Sequence, residues 1–184
     1  HLSRNGATAF VVTDDRDRYL RFDGGQMVEV PYRPRFRAAE EWPLVPRLGR
    51  LAERLVRRIG YPDEEVFLYR PLFDPAWWGR AVEVGRTERI DVFQAEFPGY
   101  GVPGHVAASL LGAVRDRTGG RRPITSVVQH NVEWDRLREF GHDVRLIRRA
   151  EQAVLARMDH VIAVSTDDRR RMVAAGLDPA AVSI

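Results

Sequence analysis

Gln129-His130-Asn131-Val132-Glu133-Trp134, followed by Arg149-Ala150-Glu151 and by Asp159-His160-Val161-Ile162-Ala163-Val164-Ser165, decides the fold. The order reads as a buried strand ending in polar side chains, then a helix, then a second buried strand ending in polar side chains. The same rhythm extends on both sides. Residues 90–97 read as a strand, 104–117 as a helix, Ile124–Gln129 as a strand and 144–158 as a helix. Residues 160–164 then read as a strand, 167–175 as a helix, and 182–184 as the start of another strand. Strands alternating with helices of roughly 10–15 residues predict βαβ crossovers and a mostly parallel sheet. The expected fold class is α/β, a three-layer Rossmann-like domain. In such a sheet, ligands bind where strands end.

Toward the N-terminus the pattern changes. His1-Leu2-Ser3-Arg4-Asn5-Gly6 reads as the last turn of a helix with glycine just past its end. Residues 7–13 read as a buried strand ended by Asp14-Asp15. Residues 19–22 and 26–32 flank Asp23-Gly24-Gly25, a hairpin turn, and Pro31 and Pro34 then break the chain into a loop. Leu44–Ile59 is a strongly amphipathic helix, with Leu44, Leu48, Leu51, Leu55 and Ile59 forming one apolar stripe. Arg47, Arg50, Arg54, Arg57 and Arg58 form a second stripe, and Gly60-Tyr61-Pro62 ends the helix. Residues 75–84 read as a short helix carrying Trp77 and Trp78.

A chain of 184 residues fits one domain with a sizeable core, and 44% hydrophobic with 30% charged residues is ordinary for a globular protein. Cysteine is absent, which removes disulfides and thiolate metal sites and suits a reducing cytoplasm. No two histidine or acidic residues show metal-ligand spacing on one element, so no metal is expected. No apolar run reaches the roughly 18 residues of a membrane span, and no signal peptide opens the chain. The net charge is +3, with arginine as the sole basic residue beside the histidines. Acidic and basic residues are interspersed, which argues against nucleic-acid binding. The arginine stripe has two readings: a solvated face, or peripheral contact with anionic lipid at the inner membrane surface.

Each polar cluster admits a plain and a functional reading. Gly99, Gly101 and Gly104 make Gly-x-Gly-x-x-Gly between a strand and a helix, the context of a dinucleotide fingerprint. The next strand ends in Gln129, His130 and Asn131 rather than an acid for a ribose, and Pro103 removes an N–H donor. A tight turn, or a glycine-rich turn open to a ligand, therefore fits better. His130 at a strand end can bind a substrate hydroxyl or phosphate, or cap a helix or loop carbonyl. Glu133 can meet a substrate or serve the helix dipole. Glu151 lies on the apolar line Ile147, Glu151, Val154, Met158 and needs a buried donor, a loop amide or an arginine. Its preferred role is structural, tying strand ends together beneath the site. Ser165 and Asp168 have capping-box spacing, with a ligand role for the exposed amides as an addition.

Taken in order, these segments resemble family-4 glycosyltransferases of the GT-B fold. A strand ends in His-Asn-x-Glu-aromatic at His130, Asn131, Glu133 and Trp134. A helix glutamate follows at Glu151, then Met158-Asp159-His160-Val161-Ile162-Ala163-Val164-Ser165, then a short helix ending at Gly176. Leu2 to Thr13 resembles the family's first helix and second strand, and Ile90-Asp91-Val92-Phe93 its fourth. The resemblance covers most of the chain; residues 33–88 diverge. It implies the N-terminal, acceptor-binding half of a retaining transferase that moves a sugar from a nucleotide sugar to a glycan, lipid or small-molecule acceptor. It implies no cofactor and no required metal. By the same resemblance His130 is the catalytic residue, facing the transferred sugar or the acceptor. Gly99, Gly101, Asn131, Glu133 and Ser165 are substrate-binding, and Glu151 supports the site from beneath. The family's first strand and its nucleotide-sugar domain are not in the sequence, so 1–184 is expected to be one domain truncated at both ends, cytoplasmic and inactive alone. The rival reading is a non-catalytic α/β module for a phosphorylated ligand or a protein partner; a sugar-nucleotide epimerase is a third.

Overall fold

The computed structural model describes residues 7–13, 17–32 and 44–184, leaving aside the Val45 side chain. Its contacts divide the chain into two compact units, His1–Glu41 and Trp42–Ile184. The helix end read at 1–6, the Asp14-Asp15 stop and the Pro34 loop lie outside the described residues.

The first unit is a three-stranded antiparallel sheet of β1 (Ala9–Val11), β2 (Arg18–Asp23) and β3 (Gln26–Pro31), in that order. Gly24 and Gly25 take φ of 56° and 86°, the pair of positive angles that a two-residue hairpin turn demands. The expected hairpin is therefore present. The strand read at 7–13 departs from expectation: it is short, half-exposed, and pairs antiparallel with β2 instead of entering a parallel sheet. Tyr19 and Tyr32 supply the small buried patch, their ring centroids 6.4 Å apart.

The second unit holds the parallel sheet. Helix α1 (Leu44–Ile59) leads through one-turn helical segments, Asp63–Glu65, α2 (Val66–Tyr69) and Arg70–Leu72, into α3 (Pro75–Thr87). Asp74 starts α3 by accepting the Ala76 N–H at 3.1 Å, with Pro75 in the first turn where no N–H is needed. The alternation follows as β4 (Val92–Ala95), α4 (Pro98–Arg115), β5 (Ile124–Gln129), α5 (Glu133–Glu139), α6 (Arg145–Leu155), β6 (His160–Ala163), α7 (Thr166–Ala174) and β7 (Val182–Ser183).

The four strands β4-β5-β6-β7 pair in that order and all in parallel, with helices packed on the sheet. This is the Rossmann-like α/β arrangement expected of half a GT-B fold. Val127 and Val161, in the paired central strands, are sealed from solvent together with Tyr69, Leu137, Ile147, Leu155 and Met172. At the N-terminal ends of the strands, Asp159 staples the starts of β5 and β6. Its Oδ2 accepts the Thr125 N–H at 2.8 Å and the Thr125 hydroxyl at 2.9 Å, and Arg122 pairs with its other oxygen.

One expectation is corrected. The glycine-rich segment is not a turn: α4 begins at Pro98 and Gly99, Gly101 and Gly104 lie inside it. On α1, the leucine stripe and the packed face are different rows. Gly49, Ala52 and Val56 are buried, while Leu44, Leu48, Leu51 and Leu55 stay exposed.

Candidate functional site at the strand rim

Register sets the ends of β5 and β6 level, Gln129 pairing with Ala163, while β4 stops two residues earlier, its last residue Ala95 pairing with Val127. The residues just beyond these ends are Glu96-Phe97, His130-Asn131 and Val164-Ser165, so three neighbouring strands deliver polar side chains to one edge. That edge is where open parallel sheets bind ligands.

His130 is held there by its neighbours. Gln129 is buried, and its side-chain amide donates to the Asn131 carbonyl, curling the chain as it leaves β5. The turn pushes His130 outward to 43% exposure, where its Nε2 lies 2.8 Å from Glu96 Oε2. Its ring also leans on Phe97 at 5.2 Å between centroids. A carboxylate on Nε2 favours a proton there and leaves Nδ1 as the acceptor nitrogen. Glu96 is the residue that sequence reasoning missed. The signal was an acid directly after an apolar strand, but its meeting with His130 depends on the β4–β5 register.

The remaining expected residues fall at different depths. Ser165 is on the rim as the N-cap of α7: its hydroxyl accepts the Asp168 N–H at 3.0 Å and donates to the Asp168 carboxylate at 2.5 Å. Gly99 and Gly101 occupy the first turn of α4 and pack inward. A Cβ on Gly99 would stand 2.1 Å from the Leu68 carbonyl oxygen, and one on Gly101 2.8 Å from a Val127 methyl. Their small size lets α4 touch α2 and β5. Asn131 is exposed, and its carbonyl accepts from the Gln129 side chain.

Glu133 turns inside. It is buried, accepts the Arg136 Nε–H at 2.7 Å, and Arg136 also pairs with Glu65. Burial raises the Glu133 pKa, and the hydrogen bonds and charge of Arg136 pull against that rise. Glu151 lies deeper still, at 1% exposure. Its donor is neither a loop amide nor an arginine but the Tyr61 hydroxyl, at 3.0 Å, on a ring stacked 3.8 Å from that of Tyr69. Burial first, then repulsion from Glu133, pushes the Glu151 pKa up to about 8 despite the Tyr61 hydrogen bond. The rim thus brings together Glu96, His130 and Ser165, with Asn131 beside them. Glu133 and Glu151 belong to the packing beneath.

Among the described residues no three His, Asp or Glu side chains converge as a metal site. None of the described helices is long and apolar enough to cross a membrane.

The profile of Glycosyltransferase Family 4 matches residues 1–184. The chain belongs to glycosyltransferase family 4. Neither curated proteins nor solved structures give a match.

Proposed function

We propose that this chain is the acceptor-side half of a retaining family-4 glycosyltransferase, with its site on the rim formed by Glu96, His130, Asn131 and Ser165. The observation that carries the reading is the His130–Glu96 pair, which joins the ends of two adjacent parallel strands in a chain of this family. Transfer requires that an acceptor oxygen bond to the anomeric carbon while the sugar–phosphate bond breaks. The nucleoside diphosphate leaves with the bonding electrons, and the acceptor's hydroxyl proton is released. His130 is suited to hydrogen-bond a hydroxyl of the moving sugar through Nδ1, and Glu96 is suited to hold the ring in that tautomer. The α7 amides beside Ser165 offer further donors on the same rim. Glu133 and Glu151 support the site from inside and do not meet substrate.

In this reading the nucleotide sugar is bound chiefly by a second domain and no cofactor is needed. Residues 1–184 by themselves therefore release no nucleoside diphosphate from nucleotide sugars; steady turnover by them would overturn the assignment. In the complete enzyme, His130→Ala should lower kcat by 10²-fold or so, within the range of a positioned polar group near the reacting centre. Glu96→Gln should cost less. If kcat and acceptor KM are both unchanged in His130→Ala, the residue is not in the site.

A further inference from the structure

Helix α1 shows solvent the apolar stripe of its sequence. Its packing line is built from small residues, Gly49, Ala52 and Val56, the last two at 1% and 0% exposure. Leu44, Leu48, Leu51 and Leu55 are 49%, 42%, 49% and 37% exposed. At about 100° per residue these leucines form one row, roughly a quarter turn from the packed line. On the row's other side stand Arg47, Arg50, Arg54 and Arg58, and among the described residues none of these four is paired with an acid. The two remaining charges near this helix are already engaged: Arg57 pairs with Asp63 at 2.6 Å, and Glu53 with Arg70 at 3.5 Å.

A row of exposed leucines calls for an apolar partner. Here the row is one side chain wide and is bordered directly by a band of guanidinium groups. A protein groove wide enough to take the leucines would have to bury or neutralise that band as well. An anionic bilayer surface offers both chemistries at the right depth: acyl carbon for the leucines and lipid phosphates for the arginines, whose forked donors suit phosphate. We propose that α1 is a membrane-surface helix, lying in the headgroup layer of an anionic bilayer with Leu44, Leu48, Leu51 and Leu55 inserted and Arg47, Arg50, Arg54 and Arg58 on the phosphates. This surface is independent of the strand rim and stands whether or not the rim transfers sugar.

Vesicle flotation of the 184-residue chain tests it. The chain should float with vesicles of equal phosphatidylglycerol and phosphatidylcholine and stay behind with phosphatidylcholine alone. Each arginine changed to glutamine should lower partitioning about fivefold at low salt. Leu48→Ser/Leu51→Ser/Leu55→Ser should abolish flotation while leaving the melting temperature unchanged, because the three side chains are exposed. The sequence lacks cysteine, so Leu51→Cys places a unique thiol for a polarity-sensitive dye, whose emission should move to the blue on anionic vesicles. Equal binding to neutral and anionic vesicles would overturn the proposal, as would an unshifted dye. A leucine variant that melts early or turns a dimer into a monomer without vesicle binding assigns the row to a protein contact instead.

Discussion

Glu151 has no water to meet and one clear hydrogen bond, so its proton is held far above the ordinary carboxylate range. The linkage sign follows directly. Its folded pKa, about 8, lies above the usual 4.5, so the folded state holds a proton that the unfolded state loses first. Stability from this group is fully present below pH 4.5 and declines as pH rises toward 8. Glu151→Gln keeps the shape and carries no charge; urea denaturation from pH 5 to 8 should show a flatter profile for the variant. Asp159 has the opposite sign. Burial raises its pKa, but the Thr125 N–H and Arg122 outweigh that and hold it low. Its contribution is present above the usual carboxylate pKa and fades as pH drops through the lowered value, so Asp159→Asn should remove stability at pH 7 and reduce the acid sensitivity of the fold. Glycines sort by what surrounds them. Gly99→Ala forces a methyl against the Leu68 carbonyl and should cost about 1–3 kcal/mol. Gly79, in α3 with open space around it, should gain about 0.5–1 kcal/mol as alanine. The Glu151 partner was not legible, because Tyr61 is 90 residues away in sequence and pairs only through the tertiary fold.

At the scale of elements, boundaries read better than faces. The spacing 44–59 and the apolar run 124–129 marked helix and strand where α1 and β5 stand. Which side of α1 faces inward was not legible, since leucine and Gly-Ala-Val rows have the same period and only the distance to the neighbouring segments selects the slimmer one. Arg70 lies close against that line, 3.0 Å from where a Cβ on Gly49 would sit, and a leucine there would not fit. The start of α4 was misread for a related reason. Gly and Pro usually punctuate chains, but here Pro98 sits in the first turn and the glycines serve close packing. Pro103 then leaves the Gly99 carbonyl without its usual donor. The capping signal at Ser165 was local and therefore readable. Ser165→Ala should lower stability by about 1 kcal/mol in thermal melts, with Ser165→Asp restoring most of it.

For the whole molecule, the alternation of strands and helices in 90–184 carried the parallel sheet, because a βαβ rhythm leaves few other topologies. The rim was legible in part. His130 and Ser165 could be placed at strand ends from their positions after apolar runs, but Glu96 needed the register that sets β4 beside β5. The small antiparallel unit was half legible: its hairpin followed from Gly24-Gly25, whereas the pairing of β1 with β2 did not, since residues 7–13 look equally suited to a buried parallel strand.

Tyr61 and Tyr69 carry a last consequence. Burial, and then the neighbouring Glu151, raises both phenols far beyond the ordinary tyrosine range. In an alkaline absorbance titration neither ring should contribute phenolate signal while the chain stays folded. Their ultraviolet step should coincide with loss of the far-ultraviolet dichroism, giving the protein a built-in optical gauge of when its interior opens.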